Sequence, residues 1–335
     1  MTLLRQESRR RLSRGDRAVD IEYESVEHVM EEVKAMKVRG GSAFGCAAAS
    51  AFLLVARKGS YSSGAALIEA LEEVANALMR EKPTMATIYN ARRLMVDSVK
   101  RSMSGADAEA VAREVIRRAE AFIRHSREAV DRIGSFGASL VGDGDTIMMH
   151  SFSGSIMSVF RAARDAGKRF RVICTESRPL RESRYAVNVL TELGVPVIFI
   201  TDASMWEFVR KADWVLVGAD TIAYDGSVAN KMGTALLARL CALAEVPFFV
   251  ASEIAKLDPR TRDGRRIDLE MRPVEEVVSP GDFRSMNGVA VVNQFFDITP
   301  ARDIRGIITE RGVVPPNLIA VLWHEFEEEL TAGLA

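Results

Sequence analysis

A chain of 335 residues is long enough for two domains with cores of their own, and 48% hydrophobic with 27% charged residues is ordinary for a globular protein. Its 45 basic and 46 acidic side chains leave a formal charge of −1, which argues against nucleic acid or a membrane surface as a direct partner. No uncharged apolar run has the length of a membrane span, and three dispersed cysteines, Cys46, Cys174 and Cys241, fit reduced thiols in a cytoplasmic protein.

Residues 1–20 carry Arg5, Arg9, Arg10, Arg11, Arg14 and Arg17 with no apolar signal core behind them. A mobile basic tail is expected there, with contact to an acidic partner as the alternative. From 21 to 136 the pattern is helix after helix. Ser25 is placed to cap Val26–Lys37, where Val26, Met30, Val33 and Lys37 mark one face. Arg39-Gly40-Gly41-Ser42 then opens an apolar helix over Ala43–Val55. Further helices are expected over Gly64–Met79 and Ala106–Ile133, with Pro83 and the 57–63 segment as punctuation. No strand is expected in this all-helical N-terminal domain.

The grammar changes in the stretch 137–335. Thr146–Met149, Phe170–Cys174, Val195–Ile200, Trp214–Val217 and Phe248–Val250 read as strands. They alternate with helices over Ile156–Ala166, Tyr185–Leu193, Met205–Lys211 and Ala235–Ala244. Short apolar strands spaced by helices predict a parallel sheet covered on both faces, so the class is α/β. Such sheets bind ligands beyond the carboxyl ends of their strands.

Those ends gather His150, Ser151 and Ser153; Glu176, Ser177 and Arg178; Thr201 and Asp202; Gly218, Ala219 and Asp220; and Ser252, Glu253 and Lys256. Asn230 and Lys231 are expected to open a further helix. Hydroxyls, carboxylates and cations at one rim suit an anionic, polyhydroxylated ligand, although a Ser or Asp taken alone is more often a helix cap. Arg39-Gly40-Gly41-Ser42 and Ser153-Gly154 each place glycine and free N–H groups at a helix start, which suits a phosphate; a glycine cap between packed helices explains the first of them as well. Four histidines, His28, His125, His150 and His324, share no ligand spacing, so neither a metal nor a cofactor is expected.

Gly218-Ala219-Asp220-Thr221-Ile222, then Gly226, then Val228-Ala229-Asn230-Lys231-Met232-Gly233-Thr234, resemble the signature of one family. It unites the alpha, beta and delta subunits of translation initiation factor two-B with sugar-phosphate isomerases. Arg39-Gly40-Gly41-Ser42, Pro83-Thr84, Thr175-Glu176-Ser177-Arg178-Pro179, Phe296-Asp297-Ile298-Thr299-Pro300 and Ile308-Thr309-Glu310-Arg311-Gly312 follow in the family's order. Among its branches the chain is most similar to the archaeal-type ribose-1,5-bisphosphate isomerases.

The resemblance implies a helical domain, a Rossmann-like domain and a sugar-phosphate cleft between them. It also implies a homo-oligomer: a dimer, or a hexamer built as a trimer of dimers. Two activities follow from it. One is an aldose–ketose isomerase of a phosphorylated pentose that needs no cofactor; the other is a non-catalytic regulatory subunit binding a sugar phosphate or nucleotide monophosphate. The isomerases pair the aspartate of Gly-Ala-Asp, here Asp220, with a cysteine after the first strand, where this chain has Ser151. A thiol can be tuned to exchange protons near neutrality, and a serine hydroxyl needs a dedicated base. Cys174 is a candidate stand-in thiol. Asn230 and Lys231 are expected to hold substrate. The loop Arg39, Gly40, Gly41, Ser42 is expected to take a phosphate, and Lys82 stands where the isomerases carry arginine before Pro-Thr. Ser153, Glu176, Arg178 and Lys256 complete the expected binding set.

Overall fold

The computed structural model describes residues 22–38 and 40–332; the expected basic tail and Arg39 lie outside the described residues. Helix α1 (Val26–Lys34) begins at Ser25, whose Oγ accepts from the His28 N–H at 3.1 Å, and it ends short of Lys37, the chain turning left-handed at Met36. Helix α2 (Gly41–Lys58) is buried along most of its length. Helix α3 (Gly64–Glu81) is capped by Ser63. The 86–102 segment, to which no element is assigned from sequence, forms α4 (Ala86–Arg92), a π turn over Arg93–Asp97 and the short α5 (Ser98–Ser102). Helix α6 (Ala108–Leu140), capped by Asp107, runs on beside the sheet that follows.

All five expected strands are present: β1 (Thr146–His150), β2 (Arg171–Thr175), β3 (Val197–Ile200), β4 (Trp214–Val217) and β7 (Phe248–Ala251). The third begins after Pro196, which has no N–H for the ladder. Strand β9 (Gly306–Thr309) joins them in parallel and β10 (Gly312–Val314) closes one edge antiparallel, giving the order β10-β9-β7-β4-β1-β2-β3. Helices α7 (Gly154–Asp165), α8 (Ser183–Glu192), α9 (Met205–Val209) and α10 (Thr234–Ala244) alternate with the strands as expected, and α11 (Ile319–Ala332) ends the described chain.

Strand parity sorts the core. Met148, Ile173, Val215 and Val250 face one way and join Val33, Phe44, Phe52 and Leu71 of the helical region in a single apolar cluster. Met149, Cys174, Leu216 and Ala251 face the other way, against Ile156, Phe160 and Leu190 of α7 and α8. Each such side chain contributes about 1.5–3 kcal/mol when fully buried.

A second, antiparallel sheet, β5 (Thr221–Ile222), β6 (Val228–Lys231) and β8 (Phe296–Thr299), corrects one expectation. Asn230 and Lys231 lie on β6, opposite Asp297 and Phe296, and do not open a helix. All four β6 residues are buried, so the alternation that marks a half-exposed strand is missing. The helix waits for Gly233, whose φ of +102° turns the chain into α10.

Candidate active site

The winding of the sheet reverses between β1 and β4: the chain goes out through β2 and β3 on one side, then through β7 and β9 on the other. Ser151 leaves β1 and Asp220 follows β4, so both emerge at the crevice where such a sheet takes its ligand. They line one cavity of about 50 Å³ together with Gly40, Glu182, Lys231 and apolar side chains that include Met36, Phe44, Phe295 and Phe296.

Ser151 sits at φ +67°, in the left-handed region that costs an L-residue about 1–2 kcal/mol. Its N–H donates to Ser177 Oγ at 2.7 Å. The loop after β2 is held in turn by Asp202, which accepts from the N–H groups of Ser177 and Arg178, both at 2.8 Å. His150 stands behind as a strut. Its Nε2–H donates to the Met232 carbonyl at 2.8 Å, which leaves Nδ1 to accept from the Thr175 hydroxyl at 2.6 Å. Burial holds its pKa below the ordinary value and keeps the imidazole neutral.

Burial pushes the Asp220 carboxyl up to about 6, against the opposing pull of Lys256 and Lys231. Lys256 Nζ donates to the Ala219 carbonyl at 2.9 Å. Gly41 comes so close that a Cβ there would lie 2.9 Å from the Asp220 carbonyl oxygen and 3.1 Å from Lys256 Cε. Gly40, at φ +82°, starts α2 with no side-chain cap, and of the first-turn N–H groups that of Ala43 donates to the Gly40 carbonyl at 3.1 Å. Lys231 Nζ is 2.6 Å from Glu182 Oε1 and 2.9 Å above the centre of the Phe295 ring. Burial lowers the Lys231 pKa and Glu182 works against that shift.

The cavity therefore unites Gly40, Ser151, Asp220 and Lys231, with Gly41 and Lys256 directly beneath Asp220. Other candidates make different contacts. Asn230, one residue from Lys231 and so on the opposite face of β6, donates to Thr234 Oγ1 at 3.0 Å. Lys82 is buried in an ion pair with Glu270 at 3.0 Å and rests against Met36. Ser42 is hydrogen-bonded to Glu253, a carboxyl that burial pushes upward. Glu176 stands 3.6 Å from Arg181, and Arg178 donates to the Val277 carbonyl at 3.0 Å. Ser153 packs where a Cβ on Gly218 would lie 2.7 Å away. Cys174 is a core side chain against α7 and α8; burial pushes its thiol up to about 12, so it does not replace the cysteine expected after β1. Among the described residues no group of three His, Cys, Asp or Glu side chains is placed to hold a metal ion.

Sequence reasoning missed Glu182 and the Phe295-Phe296 wall. Glu182 immediately precedes α8 after β2, so the strand-end rule that found Glu176 and Arg178 would have reached it had the loop been read four residues further.

The family model described as the Initiation factor 2 subunit family matches residues 37–316. Ribose 1,5-bisphosphate isomerase of Methanocaldococcus jannaschii is 36% identical over 88% of this chain and 93% of its own. That of Haloferax volcanii is 34% identical over 92% and 95%. Among solved structures, translation initiation factor eIF-2B of Pyrococcus horikoshii superposes with a TM-score of 0.74 at 34% identity, over 88% of this chain and 98% of that one. The 5-methylthioribose 1-phosphate isomerase of the same organism gives 0.72 at 28% identity, over 91% and 88%. With the match covering both the helical region and the strand-end crevice, this chain belongs to the Initiation factor 2 subunit family.

Proposed function

We propose that the protein is an aldose–ketose isomerase of a phosphorylated pentose, with ribose 1,5-bisphosphate as the leading substrate. The observation that carries this is Asp220: a carboxyl held near pH 6 beside Lys231, at the end of β4 and inside a cavity also lined by Ser151. Such a group can exchange a proton near neutral pH, as turning a sugar hydroxyl into a carbonyl requires. Isomerase relatives at 36% and 34% identity support the same class.

In this reading Asp220 takes the proton of the C2 hydroxyl and Lys231 balances the charge that develops. The N–H groups at the start of α2 hold a phosphate, Gly40 letting it come close. Ser151 contributes a hydrogen bond but no titratable proton.

Ser151 also motivates a second reading, a subunit that binds a sugar phosphate or nucleotide monophosphate without converting it. The subunits are further proposed to associate: β3 is an edge strand whose Ile198 and Phe199 are exposed.

The test is to incubate the purified protein with ribose 1,5-bisphosphate and follow products by phosphorus NMR, beside a thermal-shift series of pentose phosphates and nucleoside monophosphates. Appearance of the ketose bisphosphate is the expected result. Stabilisation by those ligands with no conversion of any pentose phosphate would reject the isomerase and leave the binding subunit.

A further inference from the structure

Glu182 and Glu253 each bury a carboxylate oxygen without a hydrogen-bond partner among the described residues, and of the two it is Glu182 that lines the cavity. Its side chain is about nine-tenths buried, at 11% exposure, and it shares the cavity wall with Ser151, Asp220 and Lys231. Oε1 is paired with Lys231 at 2.6 Å, while Oε2, also buried, has no hydrogen-bond partner among the described residues. The residue is firmly placed: its carbonyl accepts from the Tyr185 N–H at 2.9 Å, and the Ser183 hydroxyl beside it lies 2.8 Å from Ser177 Oγ. Burying one carboxylate oxygen without a partner costs free energy that a pure counterion has no reason to incur. Lys231 is moreover close enough to Asp220 to affect its ionisation.

Resting on the isomerase reading, the chemistry calls for two proton carriers. The bond between C1 and the ring oxygen breaks, and that oxygen takes up a proton to become a hydroxyl. The hydrogen on C2 ends on C1 with its bonding electrons, and the C2 hydroxyl loses its proton as it becomes a carbonyl. C2 is oxidised by two electrons and C1 reduced by two, so no outside oxidant or reductant enters. One proton is delivered and another removed, at two different oxygens. Asp220 is one carrier, and the Ser151 hydroxyl is too weak an acid to be the other.

We propose that Glu182 is the second proton-carrying residue: Glu182 and Asp220, on either side of Lys231, exchange the two protons, one at the C2 hydroxyl and one at the ring oxygen. The carboxylic acid thereby does at this site what the thiol of a cysteine at position 151 would do.

Glu182→Gln keeps the shape and removes the proton carrier. Turnover of ribose 1,5-bisphosphate is expected to fall by roughly 10²-fold or more, with binding of ribulose 1,5-bisphosphate by calorimetry changed less than about threefold. One limb of the pH–rate profile should disappear. Adding Ser151→Cys to Glu182→Gln should recover about tenfold or more, because a thiol restores a second carrier. If Glu182→Gln does not fold, Glu182→Asp keeps the charge beside Lys231 and withdraws the oxygen from the cavity. Turnover reduced at least about tenfold with binding intact then supports the assignment.

A wild-type enzyme that turns over while Glu182→Gln, or Glu182→Asp in its place, stays within about threefold overturns this proposal and leaves the isomerase standing. So does a Glu182→Gln enzyme whose loss lies in binding alone, with both pH limbs kept and no rescue by Ser151→Cys: Glu182 is then the counterion of Lys231. A wild-type protein that converts no pentose phosphate removes the isomerase reading and this assignment together.

Discussion

Asp220 carries a pH-dependent share of the stability. Unfolded, its carboxyl titrates at the ordinary 3.8, and folded at about 6, so between those values the folded state holds the extra proton. Stability contributed by this group is present below pH 3.8 and is lost as pH rises through about 6. Asp220→Asn removes the buried charge, so the variant is expected to melt a few degrees above wild type at pH 8 and to converge with it near pH 4. Its turnover should fall by about 10² or more. Calorimetric melts at both pH values and the NMR assay check the two halves separately. A rise in stability with no loss of turnover would make Asp220 a buried misfit rather than a base. Ser151 and Asp220 were legible in the sequence because a parallel strand ending in a small or polar residue places it at the ligand rim. Glu182 was hidden because its ion pair is with Lys231, forty-nine positions later, which only the folded chain brings within 2.6 Å. Cys174 misled because strand parity alone does not say which face of the sheet holds the cavity.

Strand β8 supports helix α10 through one side chain. Asp297 Oδ2 accepts from the Gly233 N–H at 2.7 Å, and both oxygens lie 3.2 Å from the Ala235 N–H, so a carboxylate from another strand caps a helix that has no side-chain cap of its own. Removing such a cap costs about 0.5–2 kcal/mol. Asp297→Ala should therefore lower the melting temperature by roughly 1–3 °C, and Asp297→Asn by less, since the amide oxygen still accepts. An unchanged melt in Asp297→Ala would show that solvent replaces the cap without loss. Five of the six parallel strands, all but β9, and the helices between them could be read from pattern because each is a short apolar run bounded by turn residues. The β5-β6-β8 sheet could not. Strand β5 has only two residues, β6 is buried throughout, and β8 pairs with β6 across more than sixty residues of chain.

On one side of the molecule the main sheet ends in an exposed edge. Strand β3 ends the order opposite β10 and exposes Ile198 and Phe199. If that edge is covered by a second copy, Phe199→Glu should reduce the mass seen in sedimentation velocity toward that of a single 36.9 kDa chain, with the far-ultraviolet spectrum unchanged. A wild type that already sediments as a monomer would set the idea aside. The approach of Gly41 to the carbonyl of Asp220 has a consequence for the order in which the protein comes apart. Gly41 belongs to the helical region and Asp220 to the sheet, so the cavity wall is completed only while the first turn of α2 stays seated. As denaturant rises, that seat is free to loosen before any helix or strand melts. Turnover should then vanish at a lower denaturant concentration than the helical circular dichroism. The distance between the two midpoints measures how firmly two regions of the chain, each still intact, hold one reactive carboxyl between them; coincident midpoints would mean that they part only when everything does.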